Sequence, residues 1–375
     1  GSIMNVEAEV MARYSDGARG RQESLCCPVS YDRDLLALLP AEIAERDYGC
    51  GDPSRYVRTD DTVLDLGSGA GKLCYLMAHH VGREGRIIGV DMNAEMLGLA
   101  RKYRGEMAAK LGGDRVRFVK ARIQDLALDL EAVEEYLATS PVRSLSDLQD
   151  FESWQRKQRS EDPLIPAASV DLVVSNCVLN LVRDQDKLQL IREIFRVLKP
   201  GGRVAISDIV CDESVPAVLK QDPLLWSGCV SGAFQEEEML AAFTGAGFLA
   251  VRYDQWGQEP WRIIEGIEFR AVTLTADKGE DTPCLDVGQA VIYRGPYSSV
   301  SDDEGHLYPR GARIAVCERT YRLLTTGPYR EDFIGINPRI PRAAVPWCAP
   351  AGTRRPATET KGAAVTIASA TPGCC

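Results

Sequence analysis

Three cysteines could do chemistry, and two of them sit in glycine-flanked loops, where structural cysteines seldom pack. Cys50 sits in the glycine-rich turn "RDYGCGDP", Cys177 follows the apolar run of "VDLVVSNCVLNL", and Cys229 lies between small residues in "LWSGCVSGA". Thiolates are soft ligands and select soft, thiophilic centres. Spacing does not show that the three converge, and each taken alone also reads as a buried structural thiol. The chain holds twelve cysteines, yet no CxxC and no zinc-type pairing occurs among them. Cys74, Cys211 and Cys317 are read as packing residues. Vicinal pairs, Cys26-Cys27 and Cys374-Cys375, stand near the two ends.

A second cluster is built from backbone. "LDLGSGAGK" (64–72) places Gly67, Gly69 and Gly71 where a strand gives way to a helix. Glycine permits the tight turn and lets a ligand come close to the backbone. "GVD" follows, with Asp91 ending the next strand, and a carboxylate so placed accepts ribose hydroxyls. Together the two features point to a nucleoside-containing cofactor.

These residues need strands that end at one edge. "DTVLDLG", "RIIGVD", "RVRFVKARIQDL", "VDLVVSN" and "RVAISDIV" read as buried strands, separated by helical stretches such as "GKLCYLMAHHVG" and "NAEMLGLARKYRGEMAAKL", the latter capped by Asn93. "KPGG" reads as a helix stop. The alternation predicts an α/β chain: a Rossmann-like parallel sheet with helices on both faces. Such a sheet binds ligands outside the carboxyl ends of its strands, where Cys177 falls.

With 375 residues the chain exceeds one core, so several units are expected. An N-terminal segment, 1–60, carries Cys26, Cys27 and Cys50. The cofactor-binding domain spans 61–212, with a charged helical insertion at 127–169. A substrate-binding segment follows at 213–281, then a small β-rich C-terminal domain at 282–344. The remainder, 345–375, is poor in large apolar residues and is expected to be disordered. The net charge of −10 argues against a nucleic-acid partner. No apolar run reaches membrane-spanning length, and the polar N-terminal stretch lacks an apolar signal core, so a cytoplasmic protein is expected.

The region around the glycine loop resembles the class I S-adenosylmethionine-dependent methyltransferases. That resemblance implies that Gly67 and Gly69 sit by the methionine part of S-adenosylmethionine and that Asp91 holds its ribose. Met92, Ile123 and Gln124 would flank the adenine, and Tyr48, Asn176 and Val178 would complete the cofactor site. No acid–base dyad accompanies this set; His79, His80 and His306 are the only histidines. A missing base favours a nucleophile that carries its own lone pair.

Over roughly residues 25–275 the chain resembles one family closely, the arsenite methyltransferases, through "YGCG", "LDLGSGAGK", "GVDMN", "VVSNCVLNL", "VLKPGGR" and "LWSGCVSGA". The resemblance implies that Cys50, Cys177 and Cys229 bind As(III) as thiolates. It also implies that Cys26 or Cys27, in "LCCPVSYD", forms a disulfide with Cys50 during turnover. The partners implied are thiol complexes of As(III) and an external thiol reductant of the thioredoxin or glutathione type. Two other readings keep part of the pattern. A methyltransferase of a small quinone- or sterol-type substrate keeps the loop and Asp91 and makes the cysteines incidental. A thiol-rich protein that binds soft metals without catalysis keeps only the cysteines.

Overall fold

Apolar runs bounded by glycine and polar residues form the strands that carry the site. In the computed structural model, which describes residues 33–44, 51–227 and 229–361, the first five strands are β1 (Thr62–Leu66), β2 (Arg86–Asp91), β3 (Val116–Lys120), β4 (Val170–Asn176) and β5 (Leu198–Cys211). Cys26, Cys27, Tyr48, Cys50 and the Cys374-Cys375 pair lie outside the described residues. Strands β1 to β5 pair in parallel. Past β5 the direction reverses: β9 (Ile267–Asp277) runs antiparallel to β5, and β7 (Leu249–Trp256) antiparallel to β9. The order is β3-β2-β1-β4-β5-β9-β7, with short β6 (Phe234–Gln235) and β8 (Arg262–Ile264) on β5 and β9.

Both faces are covered because both are apolar. Helix α1 (Lys72–His80) buries Leu73, Leu76 and Met77 against one side of β1 and β2. Three further helices follow: α2 (Ala94–Lys102), α3 (Arg104–Leu111) and, within the insertion, α4 (Leu130–Thr139). The pattern at 94–111 predicted one helix, but Tyr103, at φ −100° and ψ 6°, ends α2 and opens α3. Asn93 caps α2 by accepting the N–H groups of Glu95 and Met96. The insertion continues with α5 (Leu145–Glu161), and neither α4 nor α5 has a fully buried residue. Tyr136 of α4 stacks on Trp154 of α5 at 4.7 Å, so aromatic contact replaces a core there.

On the opposite face, α6 (Asp184–Val197) buries Leu190, Ile191, Ile194 and Val197, the spacing of one helical stripe. Truncating Ile194 to Ala would cost about 2–5 kcal/mol. The helix ends at Val197, and "KPGG" is absorbed into the start of β5, with Gly201 at φ +81°. A last helix of this unit, α7 (Glu236–Gly245), packs Met239 and Phe243 into the same core.

The chain divides into two compact units, 1–278 and 279–375. The second contains β10 (Leu285–Asp286), β11 (Ala290–Tyr293), β12 (Ser299–Ser301), β13 (Leu307–Pro309), β14 (Arg313–Ala315), α8 (Glu318–Thr325), β15 (Phe333–Ile336) and β16 (Val345–Pro346). Tyr293, Tyr308, Ile314, Leu324 and Phe333 form its core. The segment from 345, expected to lack structure, is ordered through 361. Strand β16 pairs with β10, and buried Arg355 bonds Asp286 at 3.0 Å and Glu359 at 3.1 Å. Composition misleads here because ion pairs and backbone pairing, not apolar burial, order the segment. Among the described residues no helix is long and apolar enough to cross a membrane.

Candidate active site

Strands β1 and β4 are neighbours although β2 and β3 intervene in the chain, so a crevice opens at their carboxyl ends. The loop after β1 turns through left-handed backbone at Gly67 (φ +73°), Gly69 (φ +55°) and Gly71 (φ +88°). A side chain would not fit: a Cβ on Gly67 would lie 2.6 Å from Val178 Cγ1, and one on Gly71 would lie 2.8 Å from Phe118 Cζ. The Gly67 and Ser68 N–H groups both donate to the Val90 carbonyl, tying the loop to β2.

Asp91 completes that tie. Its Oδ2 accepts the Gly69 N–H at 2.9 Å and its Oδ1 the Asn93 N–H at 2.8 Å. Burial pushes its carboxyl up from the ordinary range, and these backbone donors oppose the push. Asp91 therefore sets the loop as well as facing the ligand edge. Asp65, Ser68, Lys72, Met96, Asn176 and Val178 line the cleft beside the loop. Asp65, overlooked in the sequence reading, is a nearly buried carboxylate that accepts the Cys74 thiol at 3.3 Å. Its signal was its place one residue before the end of β1. The buried Ser68 hydroxyl has no hydrogen-bond partner among the described residues.

The adenine-side candidates stand apart from this lining. Met92, 37% exposed, follows β2. Ile123 and Gln124 follow β3 in a turn closed by a bridge between Arg122 and Asp125. The Gln124 carbonyl accepts Gln189 Nε2 at 2.8 Å. All three lie at the edge to which the glycine loop belongs.

Cys177 and Cys229, 52 residues apart in the chain, meet beyond the carboxyl end of β4: their Sγ atoms are 3.7 Å apart. Both are buried in an apolar cluster with Ile209, Val230 and Phe269. Both hold left-handed backbone, φ +60° at Cys177 and +69° at Cys229. Such a residue without glycine's freedom costs on the order of 1–2 kcal/mol, and strain of this kind concentrates at functional sites. The Cys177 N–H donates to the Ser207 carbonyl at 2.7 Å, fixing it against β5. Cys229 is a thiol. The disulfide that the family resemblance implies, Cys50 with Cys26 or Cys27, lies outside the described residues.

Flanking groups lock the pair. Asn176 Nδ2 donates to the Gly51 carbonyl at 2.7 Å, and its Oδ1 accepts the Gly51 N–H at 3.2 Å. Asn180 is buried and donates to the Cys229 carbonyl at 3.2 Å. Its own N–H donates to Asp208 Oδ2 at 3.3 Å. Burial pushes the Asp208 carboxyl up to about 7. Lys187 supports the same region: it pairs with Asp184 at 2.8 Å and donates to the Gly232 carbonyl. Cys211 shares the apolar cluster, but its sulfur faces the Phe234 carbonyl at 3.3 Å, and burial pushes its thiol up to about 11.

Residues 58–136 and 145–257 match a family model described as a methyltransferase domain, and residues 280–365 match one described as a domain of unknown function (DUF8838). An arsenite methyltransferase from Aquipseudomonas alcaligenes is 31% identical over 350 residues, covering 88% of this chain and 89% of the relative. The human arsenite methyltransferase is 28% identical over 345 residues, covering 88% of this chain and 82% of the relative. Among solved structures, an arsenic (III) S-adenosylmethionine methyltransferase from Chlamydomonas reinhardtii shares the fold. Its TM-score is 0.54 at 24% identity, covering 85% of this chain and 100% of that chain.

Proposed function

Because this chain belongs to the arsenite methyltransferase family, we propose that it moves a methyl group from S-adenosylmethionine to trivalent arsenic held by cysteine sulfur. The observation that carries this reading is the 3.7 Å separation of Cys177 and Cys229 Sγ, beside the glycine cleft.

The residues present fit the cofactor. Positive-φ glycines leave room for its methionine part, and the Asp65 carboxylate suits its ammonium. Asp91 accepts ribose hydroxyls; Met92, Ile123 and Gln124 take the adenine, and Tyr48, Asn176 and Val178 close the cleft. When bound, S-adenosylmethionine supplies an electrophilic methyl group on a positively charged sulfur.

The substrate site is Cys50, Cys177 and Cys229. Three thiolates around As(III) leave its lone pair as the remaining position, pointed at the methyl. Buried anions are costly unless paired, and a soft cationic centre pairs all three at once. Asn176 supports the inclusion of Cys50, since it anchors the next residue, Gly51, one position from Cys177. No base is required, because the nucleophile bears no proton. Alignment of the lone pair is then the protein's main contribution, worth up to about 7–11 kcal/mol.

Methylation formally removes two electrons from arsenic. They return when two protein thiols, Cys50 and either Cys26 or Cys27, couple as a disulfide, and an external thiol of the thioredoxin or glutathione type reopens it. Which of Cys26 and Cys27 serves this cycle with Cys50 belongs to the proposal, as does a role in arsenic detoxification. The test is direct: reduced protein given arsenite, S-adenosylmethionine and a thiol reductant yields methylated arsenic on chromatographic speciation. No such product, with the cofactor demonstrably bound, would point to an organic substrate instead.

A further inference from the structure

The C-terminal unit carries a second pair of thiols that takes no part in the chemistry above. Cys284 precedes β10 and Cys317 caps α8, and their Sγ atoms lie 3.7 Å apart. Although 33 positions separate them in sequence, they share one cleft with Glu304, His306, Arg319 and Trp347. Cys317 is buried and Cys284 half-buried, so a ligand reaches the pair from the Cys284 side.

Each sulfur meets a donor suited to a thiolate. Arg319 Nη2 lies 3.2 Å from Cys284 Sγ, and the Thr320 N–H faces Cys317 Sγ at 3.5 Å, at the positive end of α8. Partial burial, then the neighbouring thiol, pushes the Cys284 pKa up. Two thiolates this close repel, and one soft cationic centre bridging them removes that repulsion. Two sulfurs bonded to one centre lie in van der Waals contact with each other, and at 3.7 Å these two need little movement to reach that arrangement.

The number of ligands selects the ligand. Among the described residues no group of three or more His, Cys, Asp or Glu is placed to hold a metal ion, so this cleft offers two sulfurs rather than a closed cage. Arsenite bound there would keep one oxygen. A trivalent arsenical with one carbon substituent exchanges both of its oxygens for sulfur, and Trp347 and Ile314 give the carbon group an apolar wall.

We infer that Cys284 and Cys317 form a dithiol site for a monosubstituted trivalent arsenical, the class of compound that a first methyl transfer to arsenite yields. The inference rests on arsenic being the substrate of the N-terminal unit. Binding is a condensation without redox change: two As–O bonds break, two As–S bonds form, and each thiol proton leaves with its oxygen as water.

Phenylarsine oxide, a monosubstituted trivalent arsenical, is the probe. Full-length reduced protein is loaded stoichiometrically, digested and mapped by mass spectrometry, while arsenite methylation by the same preparation is followed in parallel. One phenylarsenic group should join the Cys284 peptide to the Cys317 peptide. Cys284→Ser or Cys317→Ser should lower arsenical retained on the remaining peptide at least tenfold, with methylation of arsenite intact. Serine at 317 keeps an oxygen to cap α8, and circular dichroism of both variants verifies the fold. A missing link in protein that methylates arsenite overturns the dithiol site and leaves the arsenic reading standing. A missing link in protein that also fails to methylate arsenite, with cofactor bound, overturns both.

Discussion

Asn176 and Gly51 are joined by two reciprocal hydrogen bonds, the amide donating to the glycine carbonyl at 2.7 Å and accepting its N–H at 3.2 Å. One side chain thus substitutes for a strand partner. It fastens the segment that follows Cys50 to the residue that precedes Cys177. Gly51 is also tightly seated, since a Cβ there would lie 2.8 Å from Ser207 Oγ.

Replacing Asn176 by Asp removes the donor and leaves the Gly51 carbonyl unsatisfied, at a cost of about 1–3 kcal/mol. Arsenite methylation should fall at least tenfold while far-ultraviolet circular dichroism stays unchanged. Thermal melting and a methylation assay on one preparation check both halves.

Gly67→Ala should abolish cofactor binding more than it harms the fold. The added Cβ meets Val178 at 2.6 Å in a backbone of φ +73°, so relieving the contact with Val178→Ala leaves the strain in place. Titration calorimetry with S-adenosylmethionine should show affinity down at least tenfold in Gly67→Ala and still weak in the double variant. Full recovery in the double variant would place the defect in the contact alone.

Asp208 predicts a pH dependence of stability. Its folded pKa, about 7, lies above the ordinary carboxylate value near 4, so the folded state holds an extra proton between the two. Stability contributed by neutral Asp208 is present below about pH 4 and is lost as pH rises through about 7. Asp208→Asn removes this titration, and the difference at pH 8 should be roughly 2–4 kcal/mol in favour of the variant. Urea unfolding of both proteins at pH 5 and pH 8 measures it; equal slopes in pH would contradict the buried-carboxyl account.

Cys211 shares a cluster with Cys177 and Cys229, yet its sulfur is turned to the Phe234 carbonyl. Cys211→Ala should therefore keep methylation within about twofold of the parent, at a packing cost of about 1 kcal/mol. Loss of activity would mean that the sulfur set includes it.

Much of the sheet was legible because its strands are apolar on both faces and its glycine loop has few structural alternatives. "LDLGSGAGK" and "GVD" name residues whose backbone does the positioning, so Gly67, Gly69 and Asp91 follow from local pattern. The contact of Cys177 with Cys229 was not legible in spacing, because the path from β4 through α6 and β5 is set by tertiary packing. The role of Asn180 is hidden for the same reason: its partner, the Cys229 carbonyl, is 49 residues away. Segment 345–361 was misjudged because Arg355 does the work that apolar residues do elsewhere, through Asp286 and Glu359.

The central claim is that Cys177 and Cys229 hold arsenic together beside the cofactor. The measurement is arsenite methylation by reduced Cys177→Ser and Cys229→Ser proteins, with S-adenosylmethionine binding measured calorimetrically on the same samples. The account predicts that methylated arsenic falls at least a hundredfold in both while cofactor affinity stays within about threefold of the parent. Full methylation in either variant would contradict it.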